Sequence, residues 1–219
     1  MADKESILKK LYALANAENV KGMEQYGMSG KNRLGVSIPD LRNIAKETGR
    51  DHALALRLWK THICDAMILA SMIDENDKLT EKQMEDWVKD FNSWDVCDQV
   101  CMNLFEKSPL AHKKIEEWSR RKEEFVIRAS YALIACIAWH DKKADDASFK
   151  KFFPVIKRGA GDERNYVKKA VSWALRNIGK RNPSLNKAAL KLASEIAKTG
   201  TGPAKWISSD VTKDLEGRF

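Results

Sequence analysis

Apolar residues recur at intervals of three and four along nearly the whole chain, and no stretch alternates with a period of two over strand length. Leu8, Leu11, Tyr12 and Ala15 form one such stripe. A period near 3.6 buries one face of a helix, whereas a half-buried strand needs a period of two. The pattern therefore predicts an all-α protein. Amphipathic runs fall at about 3–17, 19–26, 38–48, 51–60, 63–73, 80–91, 94–105, 109–121, 124–139, 147–158, 164–180, 184–198 and 204–216. Start signals stand before several of them: Ser37 before Ile38-Pro39, Thr80 before Glu81, Ser108 before Pro109, and Asn182 before Pro183. Gly49, Gly161 and Gly200 mark stops.

Twelve or thirteen short helices with short connections pack either as a globular bundle or as stacked pairs. Pairs of about 35–40 residues match the HEAT-like class of helical repeats. The expected architecture is a single domain over residues 1–219. It is an α-α superhelix of HEAT-like repeats, a solenoid with a concave basic face able to hold an elongated ligand.

Charge points to that ligand. The formal net charge is +8, and it is unevenly spread. From Lys150 to Lys205 there are fourteen Lys and Arg against Asp162, Glu163 and Glu195, which leaves the rest of the chain near −3. Phosphate polymers and anionic membranes are the usual partners of so one-sided a surface; the plain alternative is solvated lysine on helix faces. No apolar run approaches a membrane span, and the best candidate, Phe125 to Trp139, contains Arg128 and reads as a buried helix. The first residues lack the basic-then-apolar pattern of a signal peptide. Cys64, Cys97, Cys101 and Cys136 show no zinc spacing and read as reduced thiols. A cytoplasmic protein is expected, nucleoid-associated in a prokaryote, with no metal and no cofactor.

The segment Asn92-Ser93-Trp94-Asp95-Val96-Cys97-Asp98 carries the most chemical information. Asn92 or Ser93 suits a helix start, and Asp95 suits the positive first turn. Trp94 and Asp98 are four apart, so a helix sets an indole beside a carboxylate. A second group follows in Lys168-Lys169-Ala170-Val171-Ser172-Trp173-Ala174-Leu175-Arg176. There Lys169, Trp173 and Arg176 share a face, and an interleaved aromatic distinguishes a nucleic-acid surface from a merely solvated one. Arg164 and Lys168 add charge to the same helix and are expected, with Lys169 and Arg176, to contact the nucleic acid. Arg128, alone in an apolar helix, faces either an ion partner or an anion. Gly27 to Gly35 is a glycine-rich, basic and flexible loop without phosphate-loop spacing, and its Lys31 and Arg33 are expected as further contacts to the nucleic-acid backbone. Asp98 competes with a structural salt bridge, and Asp95 with helix capping. Trp59, Trp87, Trp118 and Trp139 read as core, and Trp206 as a packing anchor.

With these motifs the chain resembles the AlkD family of DNA alkylation-repair glycosylases, which are built of HEAT-like repeats. Gly35-Val36-Ser37-Ile38-Pro39-Asp40-Leu41-Arg42-Asn43-Ile44-Ala45-Lys46 resembles the N-terminal signature, and Asn92 to Asp98 the acidic motif. Ile127-Arg128-Ala129 resembles the arginine-bearing helix, and Lys169 to Arg176 followed by Asn182-Pro183 the C-terminal motif. The resemblance runs through most of the chain. It implies that Asp98 is catalytic, that Trp94 and Trp173 contact the modified nucleotide, and that Arg128 and Arg176 hold the DNA backbone. The implied substrate is duplex DNA bearing cationic N3- or N7-alkylated purines, acted on by a monomer. Two positions depart from the pattern. Ile127 stands where many members have a second arginine, and Lys31-Asn32-Arg33 lacks the aromatic and proline residues of some relatives.

The chemistry suits the residues. Alkylation at N7 or N3 makes the purine a cation that leaves neutral, so little acid catalysis is needed. A fixed carboxylate then stabilises the oxocarbenium-like sugar and positions water. Two indoles offer faces to a cation, each worth ~0.5–2 kcal/mol. No metal and no covalent nucleophile is required. The alternative is a non-catalytic HEAT-like protein that binds damaged, bent or branched DNA; a protein-binding scaffold is a third reading.

Overall fold

The computed structural model describes residues 3–28 and 30–219. Among them the chain forms α-helices, two short 3-10 turns and no strand. They divide into two compact units, Met1–Pro109 and Leu110–Phe219. The first unit contains α1 (Lys4–Ala13), α2 (Ala17–Gln25), α3 (Ile38–Thr48), α4 (His52–Trp59), α5 (Cys64–Ile73), α6 (Glu81–Lys89) and α7 (Trp94–Asn103). The second contains α8 (Ala111–Trp118), α9 (Glu124–His140), α10 (Asp146–Lys150), α11 (Phe153–Gly159), α12 (Asn165–Gly179), α13 (Pro183–Ala197) and α14 (Gly202–Leu215). Among the described residues no helix is long and apolar enough to cross a membrane.

Each unit is organised round one helix that is apolar on nearly every side. In the first it is α5, buried from Cys64 to Ser71, with α3, α4 and α7 packed on it. In the second it is α9, buried without a break from Val126 to Ala138, with α8 and α12 against it. α12 in turn packs on α13 and α14. The surrounding helices are amphipathic and point their apolar stripes at these two. Each fully buried Leu or Ile contributes about 1.5–3 kcal/mol. Leu133→Ala, at a position with no exposure, would leave a cavity costing about 2–5 kcal/mol.

Several start signals act as the sequence implies. Ser37, Thr80 and Asn182 accept hydrogen bonds from the backbone N–H groups of Asp40, Gln83 and Leu185. Others do not. Ser108 follows a 3-10 turn, Phe105–Lys107, and α8 begins only at Ala111 without a side-chain cap. The run expected at 147–158 is two helices, because Pro154 lacks an N–H and suits only a first turn, where α11 restarts. α1 stops at Ala13 since Asn16 caps α2, accepting from the Asn19 N–H at 3.0 Å.

The tryptophans sort differently from expectation. Trp59 and Trp87 stack with ring centroids 3.8 Å apart, and Trp118 is wholly buried, as core residues. Trp139, expected in the core, is 56% exposed, because it lies just beyond the last buried residue of α9. Trp206, expected as an anchor, is 37% exposed and carries the Lys168 ammonium over its ring at 4.8 Å. All four cysteines are buried thiols.

Candidate nucleic-acid interface

In the Met1–Pro109 unit the candidate residues gather at the start of α7. Val96, Cys97, Val100 and Cys101 have no exposure and fix the inner face of the helix. The opposite face therefore carries Trp94, Asp95 and Asp98, all half-buried. Trp94 and Asp98 stand one turn apart, as the i, i+4 spacing requires. The Trp94 indole is held in place: its Nε1–H donates to the carbonyl of Tyr26 at 3.1 Å.

Asp95 does more than favour the helix dipole. Arg33 donates to both of its carboxylate oxygens, Nη1 at 2.7 Å and Nη2 at 2.9 Å. The Arg33 side chain is only 2% exposed. Burial pulls its pKa down, but hydrogen bonding and charge from Asp95 outweigh that and leave it raised. Arg33 is thus not the phosphate contact expected from its loop; it is an internal strut whose fork is occupied by a carboxylate. Ser93 stands at the N-cap position yet makes no capping bond, because its hydroxyl donates to Asp95.

The returning half of the glycine-rich loop is fastened rather than loose. Asp65, buried in α5, accepts from the backbone N–H of Leu34 at 2.7 Å and of Val36 at 2.8 Å. The Asn32 carbonyl accepts from the Cys64 N–H at 2.8 Å. Gly35 has φ +77°, and a Cβ there would lie 2.4 Å from the Asn16 carbonyl oxygen, so only glycine fits. Lys31 remains exposed at the loop's surface. Ser29 of this loop lies outside the described residues.

In the Leu110–Phe219 unit the candidates lie along α12. Val167, Ala170, Val171, Ala174, Leu175 and Ile178 are its buried stripe. Lys169 is exposed, and Trp173, Arg176 and Lys180 are half-buried, so spacings of four, three and four draw one open ridge. Two of its cations are braced by α14. Arg176 Nε lies 3.4 Å from Asp210, and Lys180 Nζ lies 2.8 Å from Asp214. Lys169 has no carboxylate partner among the described residues.

Arg128 is 6% exposed and donates from Nη1 to the Tyr166 carbonyl at 2.6 Å. This bond ties α9 to the first turn of α12. Ile127 beside it is also buried, so the departure from the family pattern adds to the core. Arg164 was expected on DNA. It instead grips Asp162 through Nε at 2.9 Å and Nη2 at 2.6 Å, and donates to the Lys122 carbonyl. That hydrogen bonding raises the Arg164 pKa. For Asp162, burial acts upward but bonding from Arg164 prevails and lowers its pKa. Lys168 is likewise committed, to the Trp206 face.

Tyr26 escaped the sequence reading. It ends α2, is 76% exposed, and its carbonyl holds the Trp94 indole. The one signal was an aromatic directly before Gly27, a residue of positive φ that ends a helix.

The two units differ in charge. Residues 1–109 hold 15 Lys and Arg against 18 Asp and Glu, and residues 110–219 hold 24 against 13. The aromatic beside acids is thus in a slightly acidic unit, and the aromatic beside cations is in a strongly basic one.

A family model described as DNA alkylation repair enzyme matches residues 7–202. No curated protein matches. Among solved structures, the chain is similar to one described as a new family of proteins related to the HEAT-like repeat DNA glycosylases with affinity for branched DNA structures. The TM-score is 0.78 at 18% identity, over 99% of this chain and 97% of that one. That likeness establishes an all-α HEAT-like repeat fold.

Proposed function

From the premise that this chain belongs to the DNA alkylation repair enzyme family, we propose that it excises cationic N3- or N7-alkylated purines from duplex DNA by hydrolysing the N-glycosidic bond. The observation that carries this reading is the pairing of Trp94 with Asp98 on the open face of α7, beside an Asp95 already occupied by Arg33. Asp95 is held by Arg33, and Asp98, one turn from Trp94, is the carboxylate we assign to the substrate. Asp98 stabilises positive charge developing on the sugar and orients the attacking water; the base departs as a neutral group. Trp94 in the first unit and Trp173 in the second each offer an indole face to nucleic acid. Lys169 and Arg176 contact phosphates, with Lys31 as a further contact. Arg128 acts behind them, by setting the start of α12. The protein acts as a monofunctional glycosylase without metal or cofactor.

The test is single-turnover release of N7-methylguanine and N3-methyladenine from methylated duplex. Release by the wild type, and its loss in Asp98→Asn with DNA binding retained, is the expected result. DNA binding without release by the wild type would transfer the protein to the second reading, a non-catalytic binder of branched or damaged DNA. That reading is favoured by the branched-DNA affinity of the structural relative.

A further inference from the structure

The ridge of α12 runs into a cavity that the proposed glycosylase chemistry leaves unused. Its volume is about 570 Å³, and Trp139, Lys142, Asp146, Lys180, Arg181 and Arg218 are among its lining residues. All belong to the Leu110–Phe219 unit. Asp146 is the one acid among the lining residues, and it accepts from the Asn182 side-chain amide at 2.8 Å.

Arg181 is the built part of this cavity. Its guanidinium donates to the carbonyls of Ala138 at 2.7 Å and Ala144 at 3.3 Å, and lies over the Phe149 ring at 3.9 Å. These contacts fix its orientation, and the acids nearest to it, Asp141 and Asp146, act on it through space and not by direct contact. None of Lys142, Arg181 and Arg218 has a carboxylate partner within ion-pair distance among the described residues. Three cations without a carboxylate at ion-pair distance thus border one space, and their summed field favours an anion there. Trp139 adds an indole that is 56% exposed, with no hydrogen-bond partner for its N–H among the described residues. An exposed aromatic face beside unpaired cations fits a base with its phosphate, since every base has a π-face and every nucleotide a charge.

We propose that this cavity is a second nucleic-acid site, which takes an unpaired nucleotide of the bound DNA, its base on Trp139 and its phosphate among Lys142, Arg181 and Arg218. The site rests on the reading that the chain binds DNA. Trp173 of α12 and Lys180, which caps that helix, are seven residues apart, about 10 Å along the axis. That is about three phosphates along one strand of a duplex, at 3.4 Å of axis each. The ridge thus leads from the nucleotide assigned to Trp173 toward the cavity. A base paired within a duplex hides its faces in the stack, so the site selects a flap, gap or branch.

The experiment compares a blunt duplex with the same duplex bearing a short single-stranded flap, and places 2-aminopurine in the flap. The wild type should bind the flapped duplex more tightly and quench the fluorophore by stacking. Trp139→Ala, and the double variant Lys142→Ala with Arg218→Ala, should lose about tenfold in affinity for the flapped duplex. Binding to the blunt duplex, and release of N7-methylguanine from it, should stay unchanged. The double variant should also shallow the salt dependence of flap binding by roughly 0.7 per lost phosphate contact. A wild type that binds both duplexes alike, or variants that weaken both alike, would overturn the second site and leave the glycosylase reading standing. Failure to bind either duplex would overturn both. All three substituted residues are exposed, so loss of fold does not confuse the outcome.

Discussion

The two units present an aromatic on an open helix face by opposite electrostatic means. In the first, α7 carries Trp94 with Asp95 and Asp98, and the nearby cation Arg33 is drawn inside. In the second, α12 carries Trp173 with Lys169 and Arg176, and the acids that face its cations are supplied by α14. Each hub helix contributes one buried charge to this arrangement. Asp65 of α5 receives two backbone N–H groups of the loop that carries Arg33. Arg128 of α9 donates to a backbone carbonyl at the start of α12. A buried charge needs partners, and the partners become fixed with it. The difference between the units teaches that the charge a helix shows to solvent is decided by which opposite charge has been taken below.

The sharpest way to break this comparison is to remove the hidden half of a pair. Asp95→Asn leaves Arg33 buried without its carboxylate, and should cost about 3–5 kcal/mol of stability. Denaturant unfolding checks it, and a loss below 1 kcal/mol would return Arg33 to the pool of surface cations. Asp98→Asn should show the opposite profile. Excision of N7-methylguanine should fall by about 10²–10³, with the unfolding midpoint little changed and DNA binding equal or slightly tighter. If the rate loss instead followed Asp95→Asn at unaltered stability, the two acids would exchange roles.

Smaller effects sharpen the basic half. Trp173→Ala should lower excision of cationic purines by a few-fold to about thirty-fold, the range of one cation–π contact. An uncharged lesion released by the same protein should suffer less, and an equal loss on both would mean simple packing. Lys169→Ala should reduce the slope of log affinity against log salt by about 0.9, with weak dependence on sequence. Arg176→Ala should do slightly less, because the half-exposed pair with Asp210 already screens it.

The least effect is expected from the Asp162–Arg164 pair. The Asp162 pKa is lowered in the folded protein, so the stabilisation is present above the ordinary carboxylate value. It is lost as pH falls below that value and through the lowered one. With side chains 18% and 37% exposed, the pair is worth at most about 1 kcal/mol. Acid titration of Asp162→Asn against the wild type measures it as converging unfolding midpoints at low pH.

The sequence by itself determined the all-α class, most helix positions and the open faces of α7 and α12. Those follow from a period of 3.6, from caps such as Ser37 and Asn182, and from local spacings of three and four. Such signals lie within a few turns of chain and need no distant partner. The family followed from four motifs in order, because each motif is a short run of residues. Which cations stay in solvent was decided only by the tertiary structure. Arg33 and Asp95 are 62 residues apart and nothing local marks Arg33 as buried; Arg128 and Tyr166 are 38 apart, and the apolar helix round Arg128 signals its burial but not its partner. Trp139 differs from expectation for the same reason: its stripe continues that of α9, but burial ends one residue before it, at Ala138. Burial is a property of what packs across from a residue, and a charge or an indole takes its role from that distant neighbour.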